Sequence, residues 1–404
     1  MSDEGRGDCP MTGITSSSSE QQQLPNLMGR LLKKFVIVKK IDEGSFGAIY
    51  LARKNSEKGK IKVDEKIDHN NIPENELPEY RVVKAESNYT QGGCGLKIEV
   101  QILHKINKIF PKSEQFVKID TANKRKNYSY IFMPLLGESL KNLVARQPEG
   151  RFSDSTWLRI SIQALYAVKQ LHEIGYIHRD LKPANFVMGH KNDARRCRFV
   201  HLIDFGLARQ FMYKDKEGNL IYRKPRKNVD FRGTELYCSL SMHYDREQKR
   251  IDDIWALLFT LMEMHKSLPW SCVEVNKVEE KKKSTKLVEI INLLPVELGK
   301  PFENLNKIEP KHRPNYEEIY SGFRDCMLKN KYSFNDPYDW EVTVNPKAPN
   351  MKYYSCMSEQ FKSDLLAGLK YPKEEDSSST PTNNGSQKET GETVDTDLSV
   401  CHIY

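Results

Sequence analysis

The alternation of apolar and polar positions predicts β-strands in the first part of the chain. Residues 35–38 and 48–51 are apolar runs that flank a glycine-containing turn at 42–45, and residues 80–84 form a third run. Such runs, separated by turn residues, are typical of antiparallel strands. Apolar residues then recur every three or four positions over 96–108, which predicts a helix with one side packed on the sheet.

Beyond Pro134 the pattern changes from strands to helices. Residues 157–172 carry an apolar stripe at helical spacing, and residues 251–264 form a second, strongly apolar helix. The two halves predict an α+β fold with two lobes: a small β-sheet-rich N-terminal lobe with one main helix, and a larger, mainly helical C-terminal lobe. The second helix is too short to span a bilayer, so we expect it to be buried in protein and the chain to have no membrane span.

Domain boundaries follow from the same pattern. We place the folded domain at residues 29–345, with the small lobe at 29–133, a connection at 134–138 and the large lobe at 139–345. An insertion at about 55–79 has mixed charge that offers no face for a core, so we expect a surface excursion there.

Both ends of the chain are polar. Residues 1–28 are rich in serine and glutamine, and we expect a disordered tail. Residues 346–404 form an extension that is acidic and rich in serine and threonine from about residue 371, where we also expect disorder. This acidic tail has two interpretations: a reversible cover over a basic substrate groove, or a solvated segment without a partner.

Composition narrows the class of protein and its partners. The formal net charge of +8 over 404 residues suits acidic or phosphorylated protein substrates, and it equally suits a solvated surface. No basic segment is interleaved with aromatic residues, so we expect no specific nucleic-acid partner. The eight cysteines lack zinc-site spacing, and the N-terminus is acidic rather than a signal peptide. We expect an intracellular monomer, in the cytoplasm with the nucleus as a second location.

Two short acidic segments carry the candidate chemistry. The first contains Asp180, Lys182 and Asn185, and the second begins with Asp204. Phosphoryl transfer from ATP needs one carboxylate that receives or orients the proton of an attacking hydroxyl, and a second carboxylate with an amide to hold Mg²⁺. Asp180 suits the first role. Asp204 and Asn185 suit the metal roles, and Lys182 suits the neutralisation of charge on the transferred group.

These two segments resemble the catalytic and metal-binding loops of protein kinases. The resemblance implies that Lys84, at the end of a strand, reaches the α- and β-phosphates of ATP, and that Glu99 on the following helix holds it there. A surface lysine and a surface glutamate would be the alternative if the other segments were absent. The resemblance also implies that His178 is a packed structural residue rather than a catalytic base.

An ATP-binding surface follows from the same resemblance. Glycines on the turn at 42–45 and at Gly47 allow backbone N–H groups to approach phosphate oxygens. Adenine needs a carbonyl and an N–H presented in sequence, which Pro134 and Leu136 supply. The expected nucleotide contacts are Ile41, Asp42, Glu43, Gly44, Ser45, Phe46, Gly47, Ile49, Val82, Lys84, Met133, Pro134 and Leu136.

Two positions depart from the kinase pattern. Asp42 stands where kinases usually have a glycine, and its carboxylate either repels triphosphate or points outward. Val82 stands where they more often have alanine, which narrows the adenine slot. We expect a weakened nucleotide affinity at most, because Gly44 and Gly47 are retained.

The segment after the metal loop is similar to that of the casein kinase I group. The run from Gly233 to Tyr237 is followed by serines where most kinases have Ala-Pro-Glu, and Arg313 begins an Arg-Pro-Asn-Tyr run that resembles the Arg-Pro-Asp-Tyr of that group. The runs 208–211, 231–234, 252–255 and 268–270 resemble those of its tau-tubulin kinase branch. The resemblance extends over about 35–323. It implies that Thr234 contacts Asp180 and Lys182. It also implies that Asp253 hydrogen-bonds the backbone of the catalytic loop.

The resemblance further implies a substrate class. Lys182 resembles serine/threonine-directed rather than tyrosine-directed kinases. A basic pocket would favour substrates with acidic or already phosphorylated residues before the target hydroxyl, and a solvated cationic segment is the alternative. Its candidate members are Arg179, Arg209 and one of Arg223, Arg226, Lys227 and Arg232.

The sequence therefore predicts an active serine/threonine protein kinase that uses ATP and Mg²⁺ on protein substrates. Two other classes remain. A pseudokinase that acts as a binding scaffold is supported only by Asp42 and Val82. A small-molecule phosphotransferase shares the ATP chemistry but predicts no peptide platform, and the run from Gly233 to Tyr237 argues against it.

Overall fold

The structure is a computed structural model of the chain. It describes residues 24–44, 47–55, 63–89, 95–226, 229, 231–244, 246–309, 312–341 and 351–363. Most of the two predicted tails lies outside these residues. The expectation of disorder is wrong for residues 24–28, because Leu27 is fully buried and Leu24 and Met28 pack beside it on the sheet.

An antiparallel sheet forms the N-terminal lobe. Within the described residues its spatial order is β1-β2-β3-β4-β6-β5. Side chains alternate between its two faces, and one face is covered by a cluster that includes Phe35, Tyr50 and Phe132. The strands are β1 (Leu31–Leu32), β2 (Phe35–Glu43), β3 (Gly47–Lys54), β4 (Tyr80–Ser87), β5 (Thr121–Lys124) and β6 (Tyr128–Met133).

One main helix, α1 (Gly95–Ile109), lies between this sheet and the C-terminal lobe. Its buried residues Ile102, Leu103 and Ile106 join the large apolar cluster of the C-terminal lobe. Helix α1 therefore packs on both lobes, whereas the sequence predicted only its contact with the sheet.

The insertion before β4 is more than a surface excursion. Ile72 is buried, and Ile67 and Leu77 pack with it in an apolar cluster that includes Val38 and Leu135. The expectation that this segment offers no face for a core is therefore wrong for residues 63–79.

The same segment also contacts the C-terminal lobe. His190 Nε2 lies 3.1 Å from the carbonyl oxygen of His69, and Asn192 Nδ2 donates to the carbonyl of Ile72 at 2.8 Å. These contacts connect the two lobes on the side of the connection at 134–138.

Helices dominate the C-terminal lobe, with short two-stranded ribbons between them. The helices are α2 (Leu140–Ala145), α3 (Asp154–Glu173), α4 (Arg250–Glu263), α5 (Val278–Ser284), α6 (Leu287–Ile291), α7 (Val296–Lys307), α8 (Tyr316–Lys329) and α9 (Met351–Lys362). The ribbon strands are β7 (Tyr176–Ile177), β8 (Phe186–Met188), β9 (Val200–Leu202), β10 (Arg209–Gln210), β11 (Met212–Lys214) and β12 (Leu220–Tyr222). This arrangement confirms the predicted two-lobed α+β fold.

Helix α3 is the centre of the C-terminal lobe. It begins at a serine cap, where Ser153 Oγ accepts the N–H of Thr156, and almost all of its residues are buried. Helices α4 and α8 pack against it. A helix buried on all sides is a rigid support, and the first acidic segment follows shortly after its C-terminal end.

Helix α9 was not predicted from the sequence, and it packs on α8. The ring of Phe361 stacks on Tyr320 with centroids 4.3 Å apart, and it also contacts Tyr166 on α3. None of the helices among the described residues is both long and apolar enough to cross a membrane.

Candidate active site

Lys84 joins the sheet, helix α1 and the second acidic segment. Its Nζ lies 2.6 Å from Oε2 of Glu99 and 2.9 Å from Oδ1 of Asp204. Burial by itself would lower the pKa of Lys84, but the two carboxylates raise it above its ordinary value. Burial by itself would raise the pKa of Asp204, but Lys84 lowers it to about 2, so that this carboxylate is ionised at neutral pH.

The first acidic segment presents its three polar side chains together. Asp180 Oδ2 accepts from Lys182 Nζ at 2.6 Å, and its Oδ1 accepts from the hydroxyl of Thr234 at 2.8 Å. Asn185 Nδ2 donates to the carbonyl oxygen of Asp180 at 2.8 Å. The predicted contact between Thr234 and Asp180 is confirmed.

A short ribbon aligns the two acidic segments. Strands β8 and β9 are antiparallel, with Phe186 opposite Leu202. Asn185 directly precedes β8 and Asp204 closely follows β9, so the ribbon brings both to the same end. The N–H of Ile203 donates to the carbonyl of Asn185 at 3.0 Å and holds this register.

A buried aspartate on α4 fixes the backbone just before Asp180 in the first acidic segment. Asp253 accepts the N–H of His178 at 2.6 Å and the N–H of Arg179 at 2.9 Å. This contact confirms the prediction for Asp253. Its Oδ2 also lies 2.9 Å from Nε2 of His172, whose Nδ1 lies 2.6 Å from the hydroxyl of Tyr316.

The protonation of this buried group of side chains follows from its surroundings. Burial lowers the pKa of His172, so the ring is neutral at pH 7. Burial by itself would raise the pKa of Asp253, but hydrogen bonds from His172 and the backbone lower it. Tyr316 therefore donates to Nδ1, and the proton on Nε2 of His172 is donated to Asp253.

Both acidic segments contain a residue in the left-handed backbone region. Arg179 has φ +71° and Asp204 has φ +63°. Non-glycine residues rarely adopt this conformation, and it persists only where the surrounding structure imposes it. Gly233 has φ +112°, and a side chain there would place a Cβ 2.6 Å from the carbonyl of Arg179. The close approach of the backbone at residue 233 to Arg179 therefore requires glycine.

His178 is packed beneath the site, as the sequence predicted. Its Nδ1 accepts the N–H of Asp180 at 3.3 Å, and its Nε2 lies 3.2 Å from the carbonyl oxygen of Ile203. Its ring meets Phe205 edge-on at 5.4 Å, and Phe205 also stacks on Phe116. The histidine is therefore a bridge between the two acidic segments.

The glycine turn connects the paired strands β2 and β3. The N–H of Gly44 donates to the carbonyl of Gly47 at 2.9 Å, and a Cβ on Gly47 would lie 2.1 Å from the carbonyl of Ala85. Asp42 is exposed, and its Oδ1 accepts the N–H of Glu43 at 2.8 Å. Ser45 and Phe46, which were expected to contact nucleotide, lie outside the described residues.

The predicted adenine slot lies where β4 meets β6. Val82 is opposite Met133 in the sheet, and Ile49 is opposite Lys84. Ile41 packs beside Val82 in one apolar cluster.

The connection between the lobes is held from the C-terminal lobe. The N–H of Gly137 donates to the carbonyl of Met188, and the N–H of Met188 donates to the carbonyl of Glu138, both at 2.9 Å. These bonds fix the chain immediately after Pro134 and Leu136.

This arrangement agrees with the comparison to known families. The model of the protein kinase domain matches residues 35–333. The chain belongs to the protein kinase family. The kinase domain thus covers most of the described chain, from β2 to the end of α8.

The curated relatives of this kinase include proteins of Caenorhabditis elegans and Dictyostelium discoideum. A putative serine/threonine-protein kinase of Caenorhabditis elegans is 37% identical over 326 residues, which are 80% of this chain and 86% of the relative. A probable serine/threonine-protein kinase of Dictyostelium discoideum is 31% identical over 79% of this chain, and the match covers 59% of that protein. An inactive tau-tubulin kinase of C. elegans is 31% identical over 64% of this chain and 93% of the relative.

The kinase site suits Mg²⁺ and nucleotide by its donor set. Mg²⁺ prefers hard oxygen ligands and usually takes one or two carboxylates together with substrate phosphates. Asp204 supplies an ionised carboxylate. The amide nitrogen of Asn185 donates to the carbonyl of Asp180, which leaves its amide oxygen as the possible metal ligand. No cluster of three or more metal-binding side chains occurs among the described residues. The arrangement therefore fits a magnesium ion held jointly with phosphates.

A group of arginines surrounds the segment after the metal loop of the kinase. Arg179 Nε donates to the carbonyl of Leu207 at 2.7 Å. Glu247 lies 3.1 Å from Arg209 Nε and 2.7 Å from Arg226 Nε. Arg232 is exposed at the edge of this group. We call these four arginines and Glu247 the arginine cluster.

Within its own five members, the arginine cluster has more guanidinium groups than carboxylates. Burial lowers the pKa of Arg179 to about 10, and Glu247 opposes this shift. At neutral pH the cluster still carries four guanidinium groups against one carboxylate. Lys227, the other candidate for this pocket, lies outside the described residues, and Arg223 is exposed directly after β12.

Sequence reasoning missed several residues that hold the kinase site together. His172 and Tyr316 orient Asp253, and Glu247 pairs with the arginines. His172 carries no distinctive pattern in its apolar helix, and the Arg-Pro-Asn-Tyr run that contains Tyr316 gave no indication of its contact with His172. The acidic residue between Arg246 and Gln248 was likewise indistinguishable from a solvated surface charge.

Proposed function

We propose that this protein is an active serine/threonine protein kinase that transfers the γ-phosphoryl group of ATP to hydroxyls of protein substrates. The single observation that supports this most directly is the convergence of Lys84, Glu99 and Asp204 within 3 Å contacts. These residues come from a strand, a helix and a loop, and Asp204 is 120 positions from Lys84 in the sequence. Their convergence supports a shared role in holding the phosphates of ATP.

Each residue of the proposed site has a role in transfer. Asp180 orients the substrate hydroxyl and takes its proton, and Thr234, hydrogen-bonded to it, keeps the carboxylate in position. Lys182, on the other carboxylate oxygen, neutralises charge on the transferred group. Bound Mg²⁺ would neutralise the phosphates, held by Asp204 and Asn185.

Lys84 would bind the α- and β-phosphates, with Glu99 fixing its position. The nucleotide contacts are proposed to be those predicted from the sequence, from Ile41 to Leu136. The exposure of Asp42 supports the alternative in which its carboxylate points outward, away from the triphosphate.

We further propose that the protein belongs to the casein kinase I group and its tau-tubulin kinase branch. The name of the inactive C. elegans relative supports this, as does the segment from Gly233 to Tyr237. The arginine cluster supports a preference for substrates with acidic or phosphorylated residues, because guanidinium groups bind phosphate through paired hydrogen bonds.

The test uses purified full-length protein with MgATP and casein, an acidic protein substrate. Wild type should transfer phosphate to serine and threonine, and the Asp180→Asn variant should lose nearly all transfer while keeping its fold and its MgATP-induced thermal shift. Transfer that survives the substitution would come from a contaminant.

A pseudokinase scaffold is the second candidate, because one relative is described as inactive. It predicts no transfer by wild type and no rise in melting temperature with MgATP. Both measurements use the same samples as the transfer assay, so one experiment separates the two functions.

A further inference from the structure

Lys282 is a buried lysine whose partners are main-chain carbonyls. It lies on α5 and is 2% exposed, whereas its neighbours Lys281 and Lys283 are exposed. Its Nζ donates to the carbonyl of Glu235 and, at 2.7 Å, to the carbonyl of Cys238. Among the described residues it forms no ion pair within 4.0 Å, so the contact is not a salt bridge that happens to be buried.

Aromatic rings complete the surroundings of this ammonium group. The Nζ atom lies 5.5 Å from the ring centroid of Phe259 and 5.3 Å from that of Trp270. Cation–π contacts of this kind compensate for lost hydration. Burial lowers the pKa of Lys282 to about 8, and burial raises the pKa of the nearby Cys238 thiol. At pH 7 the lysine is a cation beside a neutral thiol.

The carbonyls belong to the segment that follows Thr234. Trp270 adds a third contact, because its indole N–H donates to the carbonyl of Leu236 at 2.9 Å. The N–H groups of Tyr237 and Cys238 both donate to the carbonyl of Thr234 at 3.0 Å. Residues 234–238 thus form a tight turn whose outer carbonyls point toward α5 and Trp270. We call this turn the platform turn.

The platform turn is connected directly to the proposed catalytic residue. Thr234, its first residue, donates its hydroxyl proton to Asp180 at 2.8 Å. A displacement of the turn would move Thr234 and the surface next to Asp180, where a substrate hydroxyl must lie. Among the described residues, Lys282 has no hydrogen bond to a proposed nucleotide- or metal-binding residue, so its influence should fall on the protein substrate.

We propose that Lys282 is a positioning residue for the protein substrate, which it serves by anchoring the platform turn through the carbonyls of Glu235 and Cys238. The inference rests on the proposed kinase function. Lys282 does not contact a reacting atom; it acts through Thr234 and the turn. Removal of its ammonium group would leave two buried carbonyls without their charged donor.

The decisive comparison is between Lys282→Met and Lys281→Met in the full-length protein. Methionine keeps the length and apolar contacts of the lysine stem but has no donor. For Lys282→Met, kcat/KM toward casein should fall about tenfold or more, since hydrogen bonds from a charged donor are worth a factor of this order. The KM for ATP should stay within about twofold of wild type, because the loss of a contact that positions casein changes the kinetic constants for casein and not the binding of ATP.

A structural readout accompanies the kinetics. Amide hydrogen exchange of residues 235–239 should be faster in Lys282→Met than in Lys281→Met, while exchange in β3 and β4 stays the same. Trp270→Phe removes the donor to Leu236 and puts a smaller ring beside the Lys282 ammonium group, so it should give a loss of the same kind. It also tests the platform turn if Lys282→Met does not fold.

Three results would overturn the proposal. The first is a folded Lys282→Met variant whose kcat/KM for casein equals that of wild type. The second is a loss of MgATP affinity as large as the loss of kcat/KM for casein. The third is unchanged amide exchange of residues 235–239 in both the Lys282 and the Trp270 variants. Failure of the proposed function looks different. Wild type would then transfer no phosphate, while the exchange experiment would still report whether Lys282 anchors the turn.

Discussion

The carboxylate of Asp253 accepts the backbone N–H of Arg179 at 2.9 Å, although the two residues lie on different elements of the C-terminal lobe. Arg179 is one of the residues held at positive φ. The hydrogen bond is therefore part of what keeps a strained conformation next to Asp180, and it makes α4 a structural base for the catalytic segment.

Replacement of Asp253 by asparagine should cost stability as well as activity. The amide keeps the shape of the side chain but turns one acceptor into a donor that faces an N–H group, and His172 loses its anionic partner. Loss of such buried contacts lowers the free energy of unfolding by about 3 kcal/mol. Urea denaturation measures this, with Asp325→Asn on the exposed face of α8 as the matched control. Equal midpoints for the two variants would contradict the assigned role.

The pH dependence of stability should carry a contribution from Asp204. Lys84 holds the pKa of Asp204 at about 2 in the folded protein, below its value in the unfolded chain near 4. The stabilising contribution is therefore present above about pH 4 and is lost as the pH falls toward 2. Between pH 6 and pH 3 the urea midpoint of wild type should fall further than that of Asp204→Asn. A steeper fall for the variant would show that the ion pair with Lys84 is not formed.

Arg232 offers a clean test of the arginine cluster, because it is exposed and its removal should leave stability unchanged. Arg232→Ala should raise the KM for a peptide phosphorylated before the target serine by about three- to tenfold, and change the KM of the unphosphorylated peptide less. High salt should reduce the difference. Arg125→Ala, on the exposed turn between β5 and β6, is the control. A uniform effect on both peptides would argue for a merely solvated segment.

Helix α9 should stabilise the domain although it follows the region matched by the kinase family. Phe361 is 3% exposed and stacks on Tyr320, so Phe361→Ala removes a buried aromatic ring. The loss in the free energy of unfolding should be about 3 kcal/mol. The neighbouring Lys362→Ala, at an exposed position, should be neutral in the same urea titration. Equal stability of the two variants would mean that α9 does not dock in solution.

Much of the fold could be read from apolar periodicity. The strand patterns at 35–38, 48–51 and 80–84 lie within β2, β3 and β4, and the helical stripe at 157–172 lies within α3. The pattern failed where apolar residues are sparse. Ile72 stands among polar residues, and Leu27, although next to Met28, belongs to no run with strand or helix period. The burial of both depends on partners elsewhere in the chain. Periodicity reports which side of an element is apolar, not whether a distant surface is available to cover it.

The order of residues along this chain determined which chemical groups are available: an acid with a lysine and an amide in one short segment, a second acid in the next, and glycines on a turn between strands. Only the tertiary structure decided which of them meet. Lys84 reaches Asp204 because β4, α1 and the β8–β9 ribbon pack around one cleft, and Asp253 reaches Arg179 because α4 packs against α3. The same holds for Lys282, which looks like its two lysine neighbours in the sequence. Its burial under the platform turn depends on Phe259 and Trp270, and such through-space contacts leave no local periodicity in the sequence.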